Sequence, residues 1–318
     1  MVDVSIIIPV YNSEKLISRC LESIIIQKDW PSIEIIIVND GSTDQTLDIV
    51  TQYAQKYKFI KVINQDNQKQ SAARNNGLKH ALGNYILFLD SDDYIEDKMI
   101  ATMYERMNRE HSDLCICGIK KVFNDRVEYE TQSCIESSAN ILKDFLIHHQ
   151  EMDVGLWNKL FVRKIIQKNE LYFENGNFFE DTLFVFKYLC CLENGISFVE
   201  TPFYNLMKRE SSTTTAYNSD IEKYANLLSI KIREYLSEKM LFELIPYVNV
   251  LDARSKIHII HHNMKFNRNN KKEKVKQLLK DVKIRTLPDL SFKYKVALFL
   301  MKTIPMLYEK VYLKKKNI

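Results

Sequence analysis

Five apolar runs, each closed by polar residues, set the rhythm of the first 119 residues: "VSIIIPV" (4–10), "EIIIVND" (34–40), "FIKVIN" (59–64), "NYILFLD" (84–90) and "DLCICGI" (113–119). Runs this short and this continuously apolar read as strands buried on both faces. Between them the period lengthens. Residues 14–27, "EKLISRCLESIIIQ", place Leu16, Cys20, Leu21 and Ile24 on one helical face, and helices are likewise predicted over 45–57, 71–82 and 97–109. Asp40-Gly41-Ser42-Thr43-Asp44 reads as a turn and N-cap ahead of the second helix.

Strands alternating with helices predict the α/β class: a Rossmann-like, mostly parallel sheet flanked by helices. Such sheets bind ligands beyond the carboxyl ends of their strands. Asn12, Asp40, Asp66 and Asp90 all fall at or just past such an end. After residue 139 the pattern turns helical. "FEDTLFVFKYLCCL" (179–192) reads as a helix with acids at its start, and "ISFVETPFYNLM" (196–207) as two short strands about Pro202. From 219 onward only helices are predicted, so the chain divides into an α/β domain over 1–215 and a helical region over 216–318.

Composition narrows the class. With 318 residues, 46% hydrophobic and 27% charged, the chain can bury a sizeable core. The N-terminal "MVDVSIIIPVYN" has no basic leader or cleavage site, and no stretch approaches the roughly 20 apolar residues of a membrane span. The expected location is therefore the cytoplasm. The six cysteines show no CxxC or zinc spacing, so free thiols are expected. Charge is uneven: from Lys265 to Ile318 there are 16 Lys and Arg against 4 Asp and Glu, a balance of +12, leaving 29 against 37, or −8, for the rest.

The chemistry centres on "ILFLDSDDYI" (86–95), where Asp90, Asp92 and Asp93 follow directly on an apolar run. Two readings compete. Acids after a strand favour the next helix's N-terminus. Carboxylates two residues apart also suit Mg²⁺ or Mn²⁺, which bridge to phosphate oxygens.

The company of this motif decides between them. "SIIIPVYN" (5–12), "IIIVNDGSTD" (35–44), "SAARNNG" (71–77), "LFLDSDD" (87–93) and "ED" (180–181), in that order, resemble the family-2 inverting glycosyltransferases, over roughly the first 210 residues. The resemblance implies a GT-A nucleotide-diphosphosugar fold. It implies transfer from a nucleotide sugar, most simply a UDP-sugar, to an acceptor hydroxyl, with Mn²⁺ or Mg²⁺ as cofactor. It places Pro9, Tyr11, Asn12 and Glu14 around the base, and Asp40 on the pyrimidine imide N–H, a donor that a carboxylate can accept. Arg74 and Asn75 go to the nucleotide side, Asp90 to the ribose, Ser91 to the nucleotide-sugar site without a finer role, and Asp92 to the metal; Asp93 faces the following helix. The general base maps to Asp181, with Glu180 holding the acceptor. Trp157 in "GLWNKLF" is a candidate sugar platform, and Arg209 in "YNLMKRESSTTT" a candidate clamp on the diphosphate. The sequence departs from the pattern at Lys69, where relatives often carry glycine.

Two rivals remain. A sugar-phosphate nucleotidyltransferase wants a Gly-rich loop after the first strand, and "PVYNSEK" (9–15) has no glycine. A non-catalytic carbohydrate-binding module would not need Asp40, Asp90, Asp92 and Asp181 together. The basic tail, "SFKYKVALFLMKTIPMLYEKVYLKKK" (291–316), fits a terminal helix whose Lys stems cover apolar surface, or a helix on an anionic cytoplasmic leaflet. No nucleic-acid recognition motif accompanies its charge. The acceptors implied are glycans or lipid-linked sugars, and the helical region offers a surface for a homodimer.

Overall fold

The computed structural model describes residues 2–27, 31–136, 138–176, 178–209, 217–280 and 289–315. Nine strands build one sheet: β1 (Val4–Val10), β2 (Ile33–Asp40), β3 (Ile60–Gln65), β4 (Tyr85–Phe88), β5 (Tyr94–Ile95), β6 (Leu114–Val122), β7 (Val127–Glu130), β8 (Lys159–Val162) and β9 (Ile196–Met207). Their order is β3-β2-β1-β4-β8-β6-β9-β5, with β7 beside β6. β1 to β4 are mutually parallel, and β1 and β2 are buried nearly end to end, hence their unbroken apolar sequences. Beyond β4 the sheet is mixed. β8 runs antiparallel to both β4 and β6, while β9 runs parallel to β6. The mostly parallel expectation therefore holds for the first half only.

Helices α1 (Ile17–Ile25), α2 (Thr46–Lys56), α3 (Lys69–His80) and α4 (Met99–Glu110) connect the early strands. The apolar stripe of α1 is buried through Ile17, Cys20, Leu21 and Ile24. α3 lies so close to the sheet that a Cβ on Gly77 would stand 2.4 Å from Ile7 Cγ2. The two strands expected about Pro202 are one, β9. The proline sits where the register with β6 shifts beside Gly118, so no ladder bond is lost to its missing N–H. A Cβ on Gly118 would meet the Glu200 carbonyl oxygen at 2.7 Å.

The chain forms two compact units. The first comprises Met1–Ala139, His149–Gly176 and Glu180–Arg209, and adds α6 (Glu151–Val154), α7 (Arg163–Lys168) and α8 (Glu180–Leu189). The second comprises Asn140–His148, Asn177–Phe179 and Glu210–Ile318. It therefore takes in α5 (Ile141–His148), far upstream of the 215/216 boundary read from sequence. Its other helices are α9 (Ile221–Glu238), α10 (Ile245–Phe266), α11 (Lys271–Lys280), α12 (Phe292–Thr303) and α13 (Pro305–Lys315). Ile257, Ile260, Leu278, Leu298 and Met301 form the centre of its core. All six cysteines are free thiols. Among the described residues, no helix is long and apolar enough to cross a membrane.

Candidate active site

The acidic turn hangs from the carboxyl edge of the sheet. Leu89 N still donates to Ile7 O (3.0 Å), which fixes where the turn begins. Asp93 is buried and serves the turn itself: its carboxylate accepts from Tyr204 Oη (2.6 Å) and Met207 N (2.7 Å) of β9. It is thus tied to a distant strand rather than facing the following helix. Burial, with Asp92 and Asp90 adding repulsion, pushes its carboxyl well above the usual carboxylate range. The Tyr204 ring stacks on Trp157 at 4.6 Å, and Trp157 is only 5% exposed. The indole is therefore core, not an open sugar platform; its apolar area is worth more buried in the sheet's packing.

Asp90 and Asp92 are half-buried on the same turn. Asp90, Asp92 and Asp93 each offer one oxygen within 4.8 Å of the others. Both oxygens of Asp93 are already committed, which leaves Asp90 and Asp92 for a cation. Asp92 Oδ2 meets a positive group already, the Arg209 guanidinium, and the Asp92 carbonyl accepts from Arg19 Nη2 (2.7 Å). Hard carboxylate oxygens that converge and attract a cationic partner fit Mg²⁺ or Mn²⁺. The hydroxyl-rich run after Arg209, residues 211–215, lies outside the described residues.

Arg74, on α3, lies beneath this rim as a fully buried hub. Its Nη1 donates to Asp181 Oδ1 (2.6 Å) and Glu180 Oε1 (3.4 Å), its Nη2 to Asp90 Oδ1 (2.9 Å), and it stacks over Phe173. Both terminal nitrogens are thus bonded to carboxylates of the protein, where the sequence had placed them on the nucleotide. One guanidinium serves three acids, and the acids respond. Burial, then Asp181, pushes Glu180 up to about 8 against the pull of Arg74. Burial raises Asp90 to about 6, Arg74 opposing and Asp181 and Asp92 assisting. Asp181 is also raised by burial, held back by Arg74 and by the distant Lys159. Neighbouring carboxyls pushed unequally upward suit an acid–base site.

The first loop forms the other wall. Asn12 takes a left-handed backbone (φ +49°), and its Oδ1 accepts from Thr43 N (2.8 Å). Glu14 Oε2 accepts from Gln45 N (3.1 Å), and Asp44 bonds Thr46 N and Glu14 N as a cap. Asp40, buried at the end of β2, accepts from Gln65 Nε2 (2.8 Å) and Gln68 N (2.9 Å). Ser91 Oγ lies 2.8 Å from Ser13 Oγ, linking the acidic turn to this loop. Pro9 is buried within β1, whereas the Tyr11 ring is half exposed beside the loop. Asn75 is structural, exchanging two 2.8 Å bonds with the Phe173 backbone. Lys69 carries φ +69°, the conformation that a glycine there would adopt without strain.

Three participants escaped the sequence reading. Lys159 is wholly buried, its Nζ donating to Met152 O (2.5 Å) and Gly155 O (2.7 Å), and burial pulls its ammonium down to about 8. Its one signal is a lone lysine inside the apolar "LWNKLF" (156–161). Arg19 and Gln70, which contact Asp92 and Asp90, carry no local signal at all.

Residues 5–169 match the family described as Glycosyl transferase family 2. The putative glycosyltransferase EpsH of Bacillus subtilis is 35% identical over 224 residues, 69% of this chain and 64% of EpsH. The poly(ribitol-phosphate) beta-N-acetylglucosaminyltransferase TarS of Staphylococcus aureus is 31% identical over 241 residues, 73% of this chain and 41% of TarS. The chain thus spans less than two thirds of the length of either relative. A crystal structure of TarS residues 1–349 with UDP-GlcNAc superposes with a TM-score of 0.68 at 24% identity, covering 99% of this chain and 91% of that one. A mannosyltransferase from Pyrobaculum calidifontis, solved with GDP-Man and Mn²⁺, gives 0.55 at 14% identity over 99% and 83%. These likenesses show a shared fold.

Proposed function

The chain belongs to glycosyl transferase family 2, and from that premise we propose that it transfers a hexosyl or N-acetylhexosaminyl group from a UDP-sugar to an acceptor hydroxyl with inversion. The acceptor is a surface-polysaccharide glycan, free or lipid-carried, and the enzyme works at the inner face of a membrane. One observation carries the chemistry: Arg74 bonds Asp181 at 2.6 Å and Asp90 at 2.9 Å, so the candidate base and the acidic turn share one guanidinium.

Asp181 takes the acceptor proton as the hydroxyl oxygen bonds the anomeric carbon. The bond from that carbon to the diphosphate oxygen breaks in the same displacement, the oxygen keeps the electron pair, and configuration inverts. Burial, then Asp181, pushes Glu180 upward, while Asp181 makes the shorter bond to Arg74 (2.6 against 3.4 Å), which favours Asp181 as the base. Asp92 and Asp90 would hold the divalent cation, which neutralises charge on the departing diphosphate. Asp40 offers an acceptor to the uracil imide, and Arg209 stands beside Asp92 as the clamp.

The test is incubation with UDP-sugars, Mn²⁺ and a glycan acceptor. UDP release with transfer supports the reading; pyrophosphate release in a parallel incubation with UTP and a sugar 1-phosphate would instead mark a nucleotidyltransferase. Asp181→Asn keeps the thermal shift given by UDP-sugar but loses about 10²–10⁴ in transfer rate. Normal turnover by that variant refutes the base.

A further inference from the structure

We propose that the outward faces of α12 and α13 dock the second unit on an anionic lipid bilayer. This deepens the membrane half of the reading above and rests on it, but owes nothing to the donor or base assignments. α12 is apolar on two opposite sides. Leu298 and Met301, with Tyr294 and Ala297, pack into the unit's core. Phe292, Val296 and Phe299 recur at i, i+4 and i+7 on the far side, and Phe292 is 81% exposed. At about 100° per residue, the two stripes stand back to back. A helix that faced only its own core would need one stripe. Ile304, between the helices, and Met306, Leu307 and Val311 on α13 extend the exposed apolar surface, Met306 at 80%.

Charge selects the partner. Lys293, Lys295 and Lys302 flank the outer stripe of α12, and Lys310 and Lys314 stand beside Met306 and Val311 on α13. Lys293, Lys310 and Lys314 make no ion pair among the described residues. The one acid of the two helices, Glu309, is bound by Lys271 at 2.5 Å. A second copy would bring lysines against lysines, and a nucleic acid would leave the phenylalanines and methionine in water. An anionic bilayer takes both sets: apolar side chains sink into the acyl boundary while lysine stems reach the headgroups. Among the described residues no helix is long and apolar enough to span, and the proposed contact is with the bilayer surface.

The test is co-sedimentation of the full chain with vesicles of phosphatidylglycerol and phosphatidylcholine, against phosphatidylcholine alone. Binding to the anionic vesicles that weakens with salt is expected. Lys293→Gln/Lys310→Gln/Lys314→Gln should lose about fivefold per lysine, on the order of a hundredfold together. Phe292→Ser/Phe299→Ser/Met306→Ser should weaken binding further while leaving the melting temperature unchanged, because the inner stripe is untouched. No sedimentation at low salt, or unchanged binding by the lysine variant, overturns the proposal. So does a dimer that the serine variant converts to monomer, since a second copy would then be the occupant. UDP-sugar binding by the same preparation is read alongside: intact, it confines any failure to this surface.

Discussion

Glu180→Gln should make the protein more stable at pH 8 and flatten its stability across pH. In the folded chain Glu180 is mostly buried, shares Arg74 with Asp181 and Asp90, and is pushed up to about 8 from an ordinary 4.5. Between those values the unfolded chain has released this proton and the folded chain keeps it. Folding there takes up a proton, so the contribution of Glu180 to stability is fully present below pH 4.5 and is lost as pH rises toward 8. At about 1.4 kcal/mol per pKa unit, the interval corresponds to at most on the order of 5 kcal/mol if Glu180 titrates alone. Asp181 and Asp90 answer to the same guanidinium and share the proton uptake, so a difference on the order of 2 kcal/mol is expected. Glutamine keeps the shape and removes the charge. Urea melts of both proteins at pH 5 and pH 8, read by tryptophan fluorescence, measure the effect. A variant no more stable than the parent at pH 8, with the same pH slope, would refute the crowding of acids on Arg74.

Arg74→Met strips the counter-charge from three carboxylates at once, and should cost about 3–5 kcal/mol at neutral pH by urea midpoint; a loss under about 1 kcal/mol would show that the hub is not structural. Asp92→Ala should abolish the Mn²⁺-dependent rise in melting temperature given by a UDP-sugar, and a chelator should do the same to the parent protein; a rise surviving in the variant moves the cation elsewhere. Lys69→Gly should stabilise by about 0.5–1 kcal/mol, since the native φ of +69° strains a lysine and not a glycine. A destabilised variant would mean that the Lys69 side chain holds the loop itself.

What could be read from the sequence follows burial. β1 and β2 are legible because both faces are covered, so seven or eight residues in a row must be apolar or strand-forming. β8 is invisible: four residues with a buried lysine at their start show no period. β9 looked broken because Pro202 mimics a terminator, and only Gly118 on the neighbouring strand reveals the bulge that accommodates it. At the site, Asp90, Asp92 and Asp181 are legible through motif order. The burial of Arg74 is not, since it depends on Phe173 and on α8, both far along the chain. Trp157 illustrates the reverse error: a rare aromatic near a sugar site invites a binding role, yet Tyr204 and the backbone of Gly155 enclose its ring.

The grip of β9 on Asp93 bears on how the protein is made. Asp93 leaves the ribosome 111 residues before Tyr204, whose hydroxyl it needs. During synthesis the Asp93 carboxylate therefore waits without its β9 partners until nearly two thirds of the chain has emerged. A fragment trimmed to the family-matched stretch, ending at residue 169, would keep Asp90 and Asp92 but lose Tyr204, Met207 and Asp181. The shortest expressible piece that closes the site must run past Arg209.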